Sequence, residues 1–595
     1  MSNRKQRLEL TWIGKDERPH LEPRILLEDA DRSYHAKARV TDHDIFDNIL
    51  IHGDNLLALK ALEQEFAGRV NCVYIDPPYN TGNAFEHYDD GIEHSLWLSL
   101  MRDRLELLKQ LLHPQGFICC HIDDSEGHYL KVLLDEVMGR NNYLTTLYVQ
   151  VRYPAKTLKQ DMDFHKEIEQ IHVYRRQYGA RPILNVQTSS FDKFTFYIHE
   201  TGKGRPIFLG GRNVTVFDPG SYEIVEGEGG TDGLKEIWAT GTILDGNSSG
   251  RFFRDYLQGR AAQDGLGVLY KVEGIGDDKF GYRYFTGPRR EGATKGKYFQ
   301  GVPRDQLEDP DAQQFSPIEN FYDLAGSFGN CRHEGGVEFR SGKKPERLLE
   351  VILRHFSRPG DLVLDSFAGS GTTGAVAQKM RRRWIMVELG EHCETHIVPR
   401  LRKVIDGTDA GGVTEAVGWK GGGGFRFYRL APSLLERDSW GNWVISKEFD
   451  AAKLSQAVCK LMGFVYKPVE THYWMQGRSS ETDFIYVTTQ NLTHQQLTAI
   501  SEEVGEGRTL LVCCKAFRAN SDAFQNLTIR KIPQAVFRKC EWGHDDYSLN
   551  VANLPEAPRE ARGDSGRASP QTKARDKRNG DSTSQDDLFG QEGGK

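Results

Sequence analysis

Apolar residues along this chain come in short blocks of two kinds. Ile49-Leu50-Ile51, Val70-Asn71-Cys72-Val73-Tyr74-Ile75, Phe117-Ile118-Cys119-Cys120-His121-Ile122, Leu362-Val363-Leu364 and Trp384-Ile385-Met386-Val387 are near-continuous and rich in β-branched side chains. Runs of this length with no polar face suit strands buried on both sides. Between them the apolar positions recur at helical spacing. Leu56, Leu57, Leu59, Leu62 and Phe66 form one such face, and a second segment covers 96–112 and stops near Pro114 and Gly116. Others cover 126–138, 346–356 and the stretch up to Met380. Strand and helix in alternation predict an α/β fold, with a mostly parallel sheet and helices on both faces.

The alternation has interruptions. Residues 1–45 are polar with few periodic apolar positions, which predicts an irregular N-terminal arm. From 181 to 330 glycines multiply, helical periodicity weakens and aromatics alternate with charges. The sheet pattern, begun over 46–180, resumes over 331–405; a linker covers 406–439. Residues 440–554 alternate again as a small C-terminal α/β domain, with strands at 483–487 and 509–514. From 555 to 595 the composition collapses to Gly, Ser, Asp, Arg, Lys and Gln, which cannot bury a core and predicts a disordered tail.

Composition and charge change this picture only in places. The 595 residues are 38% apolar and 27% charged, ordinary for a folded soluble chain. The start leads into no apolar segment and no run approaches ~18 apolar residues, so a cytoplasmic protein without membrane contact is expected. Nine cysteines include no C-x-x-C spacing, and Cys119-Cys120 and Cys513-Cys514 lie inside apolar runs. Buried thiols and no metal site are the expectation. The formal net charge of −7 does not favour nucleic acid over the whole surface. Yet 251–305 holds eleven Lys or Arg against seven Asp or Glu, interleaved with Phe252, Phe253, Tyr256, Tyr270, Tyr282, Tyr284, Tyr298 and Phe299. A locally basic, aromatic-rich region is what a nucleic-acid reader presents; the other reading is that these rings form the region's own core.

The most specific stretch is Asp76-Pro77-Pro78-Tyr79, directly after a predicted strand. The prolines end the ladder, so Asp76 stands at the carboxyl end of a strand, where open α/β sheets hold ligands. A carboxylate and a proline carbonyl can accept both N–H groups of a weakly nucleophilic exocyclic amine, and Tyr79 offers a flat face to a base drawn out of a duplex. The polar loop 83–94 is placed to close over such a base. A second constellation is Gly369-Ser370-Gly371-Thr372-Thr373-Gly374, which fits G-x-G-x-x-G between a strand ending at Asp365 and a helix, with Glu388 ending the next strand. Glycines let a ligand lie against the backbone, and Glu388 can accept ribose hydroxyls. The same pattern fits a nicotinamide enzyme. No Lys follows the glycines, which argues against a phosphate-cradling P-loop. Asp54 ends another strand and reads either as a cofactor contact or as a helix N-cap. His121 and His165 have no nucleophile beside them in sequence and read as structural.

Asp76-Pro77-Pro78-Tyr79, extended by Asn80-Thr81-Gly82, resembles the catalytic motif of the DNA amino-methyltransferases, and Asp as its first residue resembles the adenine-N6 enzymes. Residues 164–174 resemble the late strand of that methyltransferase fold. The order of catalytic motif, insertion, Lys344-Pro345 and Phe367-Ala368-Gly369-Ser370-Gly371 resembles the circularly permuted β group, over about 46–405. The length, the insertion, and Gly418-Trp419-Lys420 running into a glycine run and Phe425-Arg426-Phe427-Tyr428 resemble modification subunits of type III restriction systems.

The resemblance implies a circularly permuted Rossmann-like methyltransferase sheet. Its catalytic half is 46–180, its target-recognition insertion 181–330 and its S-adenosylmethionine-binding half 331–405. Asp76, Pro77, Pro78 and Tyr79 are then catalytic; Asp365, Phe367, Gly369, Gly371 and Glu388 line the cofactor pocket, with Lys344 and Pro345 near it. It further implies methyl transfer to N6 of a flipped adenine in double-stranded DNA, a homodimer, and a separate helicase-nuclease restriction subunit. Residues 440–554 carry no Walker lysine, and Cys513 stands where a nuclease strand needs a carboxylate before Lys515. The alternatives are a solitary adenine-N6 or cytosine-N4 methyltransferase, an NAD(P)-dependent oxidoreductase, and a non-catalytic DNA-binding module. In the tail, Gln585-Asp586-Asp587-Leu588-Phe589 resembles the peptide with which replication proteins dock on the sliding clamp, through Gln585, Leu588 and Phe589.

Overall fold

The computed structural model describes residues 9–80, 93–154, 164–187, 191–239, 248–293, 295–308, 314–339, 342–532, 540, 542–543 and 545–547. The expectations for the loop 83–94 fall, apart from its last two residues, outside the described residues, as do those for the tail 555–595 with Gln585, Leu588 and Phe589. One sheet of ten strands organises the fold. In chain order these are β1 (Leu26–His35), β2 (Asn48–His52), β3 (Val70–Ile75), β4 (Leu112–Ile122), β5 (Tyr143–Gln150), β6 (Ile168–Arg175), β7 (Phe321–Asp323), β8 (Leu362–Asp365), β9 (Arg383–Glu388) and β10 (Gly424–Leu430). Across the sheet they run β1-β10-β2-β9-β8-β3-β4-β6-β5-β7. The six strands from β10 to β4 are mutually parallel, while β1 and β6 run antiparallel to their neighbours. The α/β architecture with a mostly parallel sheet is the one the alternation predicts.

Neighbouring residues of a strand point to opposite faces, and the apolar runs supply both. Leu50, Cys72, Tyr74 and Cys119 enter one buried cluster, while Ile51, Val73, Ile75 and Cys120 enter the other. The adjacent thiols Cys119 and Cys120 therefore lie on opposite sides of the sheet. Helices α1 (Asn55–Phe66), α2 (His94–Leu111) and α3 (Gly127–Leu134) cover the second face. Helices α4 (Glu346–Phe356), α5 (Thr372–Lys379) and α6 (Val398–Ile405) cover the first. Among the described residues no helix is long and apolar enough to cross a membrane, and no group of three or more His, Cys, Asp or Glu could hold a metal ion.

Three expectations are corrected. The N-terminal arm is not irregular throughout: β1 pairs with β10, itself inside the segment read as a linker. β1 shows no clear apolar alternation because ion pairs help hold this edge, whereas β10 buries Phe425 and Phe427 in the core. Arg426 pairs with Glu28, Arg429 with Asp29 and Glu394, and Arg32 with Asp29 and Glu394. The aromatics of 251–305 are mostly core. An eight-stranded antiparallel sheet spans Phe196–Glu200 to Lys297–Gly301, and Phe252, Phe253, Tyr270, Tyr284, Tyr298 and Phe299 are buried in it. Tyr256 stays exposed, with Phe208 and Trp238.

The chain rejoins the main sheet at β7, which lies inside the stretch 181–330 expected as the insertion and pairs parallel with β5. Beyond β10, strands Asp483–Thr493, Thr509–Arg518 and Leu527–Lys531 run parallel, with helix His494–Val504 after the first.

Candidate active site

Register places the site. Leu364 of β8 lies opposite Val73 of β3, and Asp365 lies opposite Met386 of β9. Parallel neighbours end at one edge, so Asp76, Asp365 and Glu388 emerge there together. Strand β6 runs the other way, so its beginning, not its end, meets the same edge, and this brings Glu169 in.

The turn after β3 is held at two points. The Trp97 indole of α2 donates to the Pro78 carbonyl (2.8 Å). Asn80, with φ of +58°, donates to Glu126 Oε1 (2.7 Å), and His94 Nδ1 lies 2.8 Å from Glu126 Oε2. Glu126 is buried and anchors both flanks of the polar loop.

Asp76 uses its two oxygens differently. Oδ2 takes the Lys344 ammonium at 3.0 Å. Oδ1 is buried and has no hydrogen-bond partner among the described residues. A buried acceptor without a donor is costly, so this atom is an acceptor waiting for an N–H or O–H. Lys344 Nζ also lies 4.7 Å over the Tyr79 ring and 3.6 Å from Glu169 Oε2. Burial pulls the Lys344 ammonium down, but Asp76 and Glu169 outweigh it and hold it above the usual lysine range. Burial pushes Glu169 up; Lys344, His121 and the Tyr79 hydroxyl overcome that and hold its carboxyl well below the usual carboxylate range.

The glycine loop forms the neighbouring wall. Asp365 accepts the Thr373 hydroxyl (2.5 Å) and the Phe367 N–H (2.9 Å). Burial, with the charges of Asp76 and Glu388 adding to it, still pushes its carboxyl up to about 7. Glu388 is buried; Oε2 accepts the Gly369 N–H (2.7 Å), and Oε1 accepts the Gly390 N–H (3.0 Å) with His392 Nε2 also 3.0 Å away. An added Cβ at Gly369 would meet nothing within 4 Å, whereas one at Gly371 would stand 2.8 Å from Ile397 Cγ2. Open space therefore stands over Gly369, backed by two buried carboxylates and half-buried Phe367. That wall could hold a ligand carrying hydroxyls, a flat ring and positive charge.

Asp76, Tyr79 and Lys344 thus meet, and so do Asp365, Phe367, Gly369 and Glu388. Lys344 joins the two sets, because its carbonyl accepts the Thr372 hydroxyl of the glycine loop (3.1 Å). Pro345 stands at the N-cap of α4. Gly371 packs against protein, not open space. Asp54 takes the helix-cap reading: Oδ1 accepts the Leu57 N–H, while Oδ2 accepts the Tyr547 N–H (3.0 Å) and pairs with Arg104 (3.5 Å). Glu169, Glu126 and Trp97 were not singled out in sequence. A carboxylate where the antiparallel strand starts was the available signal for Glu169, and it is visible only once strand direction is known.

A family model described as DNA methylase (N6_N4_Mtase) matches residues 70–398. Among curated proteins, the "Probable type III restriction-modification enzyme HindVI Mod subunit" of Haemophilus influenzae is 32% identical over 443 residues, covering 66% of this chain and 55% of that protein. The type III restriction-modification enzyme EcoPI Mod subunit of Escherichia phage P1 is 32% identical over 205 residues, 29% of this chain and 31% of that protein. The chain thus spans about half the length, or less, of these relatives. Of solved structures, PvuII DNA methyltransferase (cytosine-N4-specific) matches at 13% identity and a TM-score of 0.31, covering 62% of this chain and 90% of that one; a likeness so weak carries no argument.

Proposed function

The chain belongs to the N6/N4 DNA methylase family, and from that premise we propose that it transfers a methyl group from S-adenosylmethionine to N6 of an adenine in double-stranded DNA, as the modification subunit of a type III restriction-modification system. The observation that carries the chemistry is the unpartnered buried Asp76 Oδ1 beside an Oδ2 already taken by Lys344. Oδ1 and a proline carbonyl accept the two N–H groups of the amine, which turns its lone pair out of conjugation with the ring. Tyr79 stacks on the extruded base, a contact worth ~1–3 kcal/mol. Asp365, Phe367, Gly369 and Glu388 would hold the cofactor, and the open space over Gly369 backed by buried carboxylates fits it. Bound there, S-adenosylmethionine supplies a sulfonium methyl as the electrophile. The family match removes the ground for a nicotinamide oxidoreductase.

The two Mod-subunit relatives support the type III reading and, with it, a separate restriction subunit. A homodimer, a clamp contact through Gln585, Leu588 and Phe589, and a cytoplasmic location belong to the same reading and rest on the sequence alone.

The test is transfer of labelled methyl from S-adenosylmethionine to DNA, followed by nucleoside analysis. N6-methyladenine is the expected product; N4-methylcytosine would point to the other branch of the family. Asp76→Ala should abolish transfer and leave cofactor affinity in place. An Asp76→Ala protein that methylates at the normal rate overturns the mechanism.

A further inference from the structure

We propose that Glu169 is the positioning residue of the catalytic centre, one carboxylate oxygen setting both the Tyr79 ring and the Lys344 ammonium against Asp76. The inference rests on the methyl-transfer reading above. Glu169 Oε2 accepts the Tyr79 hydroxyl (3.1 Å), and Lys344 Nζ lies 3.6 Å from the same atom. The ring expected to stack on the base and the cation on Asp76 Oδ2 are therefore tied to one point. That point is itself held from the sheet interior. His121 Nε2 lies 2.8 Å from Glu169 Oε2, and His121 Nδ1 lies 2.8 Å from the Tyr74 hydroxyl. His121 and Tyr74 are fully buried, on β4 and β3, so Glu169 cannot shift without them.

The consequence for chemistry follows from the freedom of an aspartate. Its last torsion is broad, so an untethered carboxylate presents either oxygen over a wide arc. A cation fixed on Oδ2 stops this and leaves Oδ1 as the single acceptor. Fixing the cation needs a second anchor besides Asp76, and Glu169 supplies it. Reacting groups misplaced by about 1 Å lose about 100-fold in rate, so the anchor acts on turnover, not on binding of the cofactor.

Glu169 also bears on the pH range over which Lys344 stays charged. The groups facing Lys344 are the Asp76 and Glu169 carboxylates, the Cys331 thiol and the Tyr79 ring, with His121 beyond Glu169 and Lys343 next in the chain. Burial opposes the charge and the two carboxylates sustain it. With one of them neutralised, the ammonium is lost at a lower pH.

The experiment compares wild type with Glu169→Gln, which keeps the shape and an acceptor for Tyr79 but removes the charge. We measure kcat, KM for DNA, S-adenosylmethionine affinity by calorimetry and the pH profile of kcat. The expected result is kcat lower by about 10- to 100-fold, unchanged cofactor affinity, and an alkaline limb moved to lower pH. A purely structural role would lower stability without moving the limb. Wild-type kcat with an unmoved limb overturns the proposal. If Glu169→Gln does not fold, Glu169→Asp carries the test: it keeps the charge but loses the reach, so a fall in kcat with intact cofactor affinity supports the proposal and wild-type kcat overturns it. Failure of the wild type itself to label DNA would instead remove the methyl-transfer reading, so the two failures are told apart.

Discussion

A single carboxyl shows how the site constrains its own charge. Asp365 is enclosed at the end of β8, and burial pushes it up to about 7 despite the Thr373 hydroxyl and the Phe367 N–H. An unfolded Asp titrates near ~3.9. Between these values the folded chain binds the proton more tightly than the unfolded chain. The contribution of Asp365 to stability is therefore full below about pH 4, falls as pH rises through the window, and levels off above about pH 7. Asp365→Asn removes that slope, at most about 1.4 kcal/mol per pH unit. The difference in Tm, variant minus wild type, should rise from pH 5 to pH 8. The Thr373 hydroxyl loses its acceptor in the variant, but that cost is the same at every pH. A flat difference in a thermal-melt series would show that Asp365 does not titrate in this window.

At the scale of elements, the glycine loop is a joint between β8 and α5, and its two positive-φ glycines do different work. Gly371, with φ of +75°, backs onto Ile397, so a side chain there meets protein. Gly369, with φ of +53°, faces open space. Gly371→Ala should lower stability, read as a fall in Tm, by more than the about 1–2 kcal/mol that a left-handed Cβ costs by itself, because Ile397 must also move. Gly369→Ala should lower Tm less but weaken S-adenosylmethionine binding more, as calorimetry would read. This reverses the expectation that Gly371 bounds the cofactor space. Below the loop, α4, α5 and α6 are tied by buried ion pairs. Glu346 takes Lys379 (2.7 Å) and Arg400 (2.9 Å), and Arg400 donates to the Ser370 carbonyl (3.2 Å) and the Thr372 hydroxyl (2.8 Å). Removing one member would leave an unpaired buried charge, so the loop's position is costly to change.

At the scale of the whole molecule, the proposed catalytic site and the stretch proposed to read DNA fall mostly on different sheets. The ten-stranded sheet brings Asp76, Lys344, Glu169 and the glycine loop to one edge. The eight-stranded sheet has its own core, so it can be replaced without dismantling the first. Exchange of the 181–330 segment, trimmed to leave β7 (Phe321–Asp323) in the first sheet, for the matching segment of a related enzyme should change the methylated sequence and leave the modified atom the same. Base-resolved mapping of methylated DNA checks this, and a folded hybrid that still marks the original site would place specificity elsewhere. With Phe252, Phe253, Tyr270, Tyr284, Tyr298 and Phe299 committed to the core, Phe208, Trp238 and Tyr256 are among the exposed rings that the proposed DNA reading can use.

The sequence by itself determined what depends on neighbours along the chain. Buried strands were legible in their unbroken apolar runs, helices in their spacing, and Asp76–Tyr79 and the glycine loop in their local pattern after a strand. It did not determine what depends on strand order and direction. Asp76 lies more than 250 residues from Lys344 in the chain, and only the order β8-β3-β4-β6 brings Lys344 and Glu169 to it. Strand β1 gave little apolar signal because ion pairs help hold that edge, and such pairs have no period. The aromatics of the insertion looked alike in sequence, and burial alone separated core from surface. Hydrophobic period is local and survives in one dimension; a carboxylate's partner is chosen by distance in space, and only the folded sheet sets that.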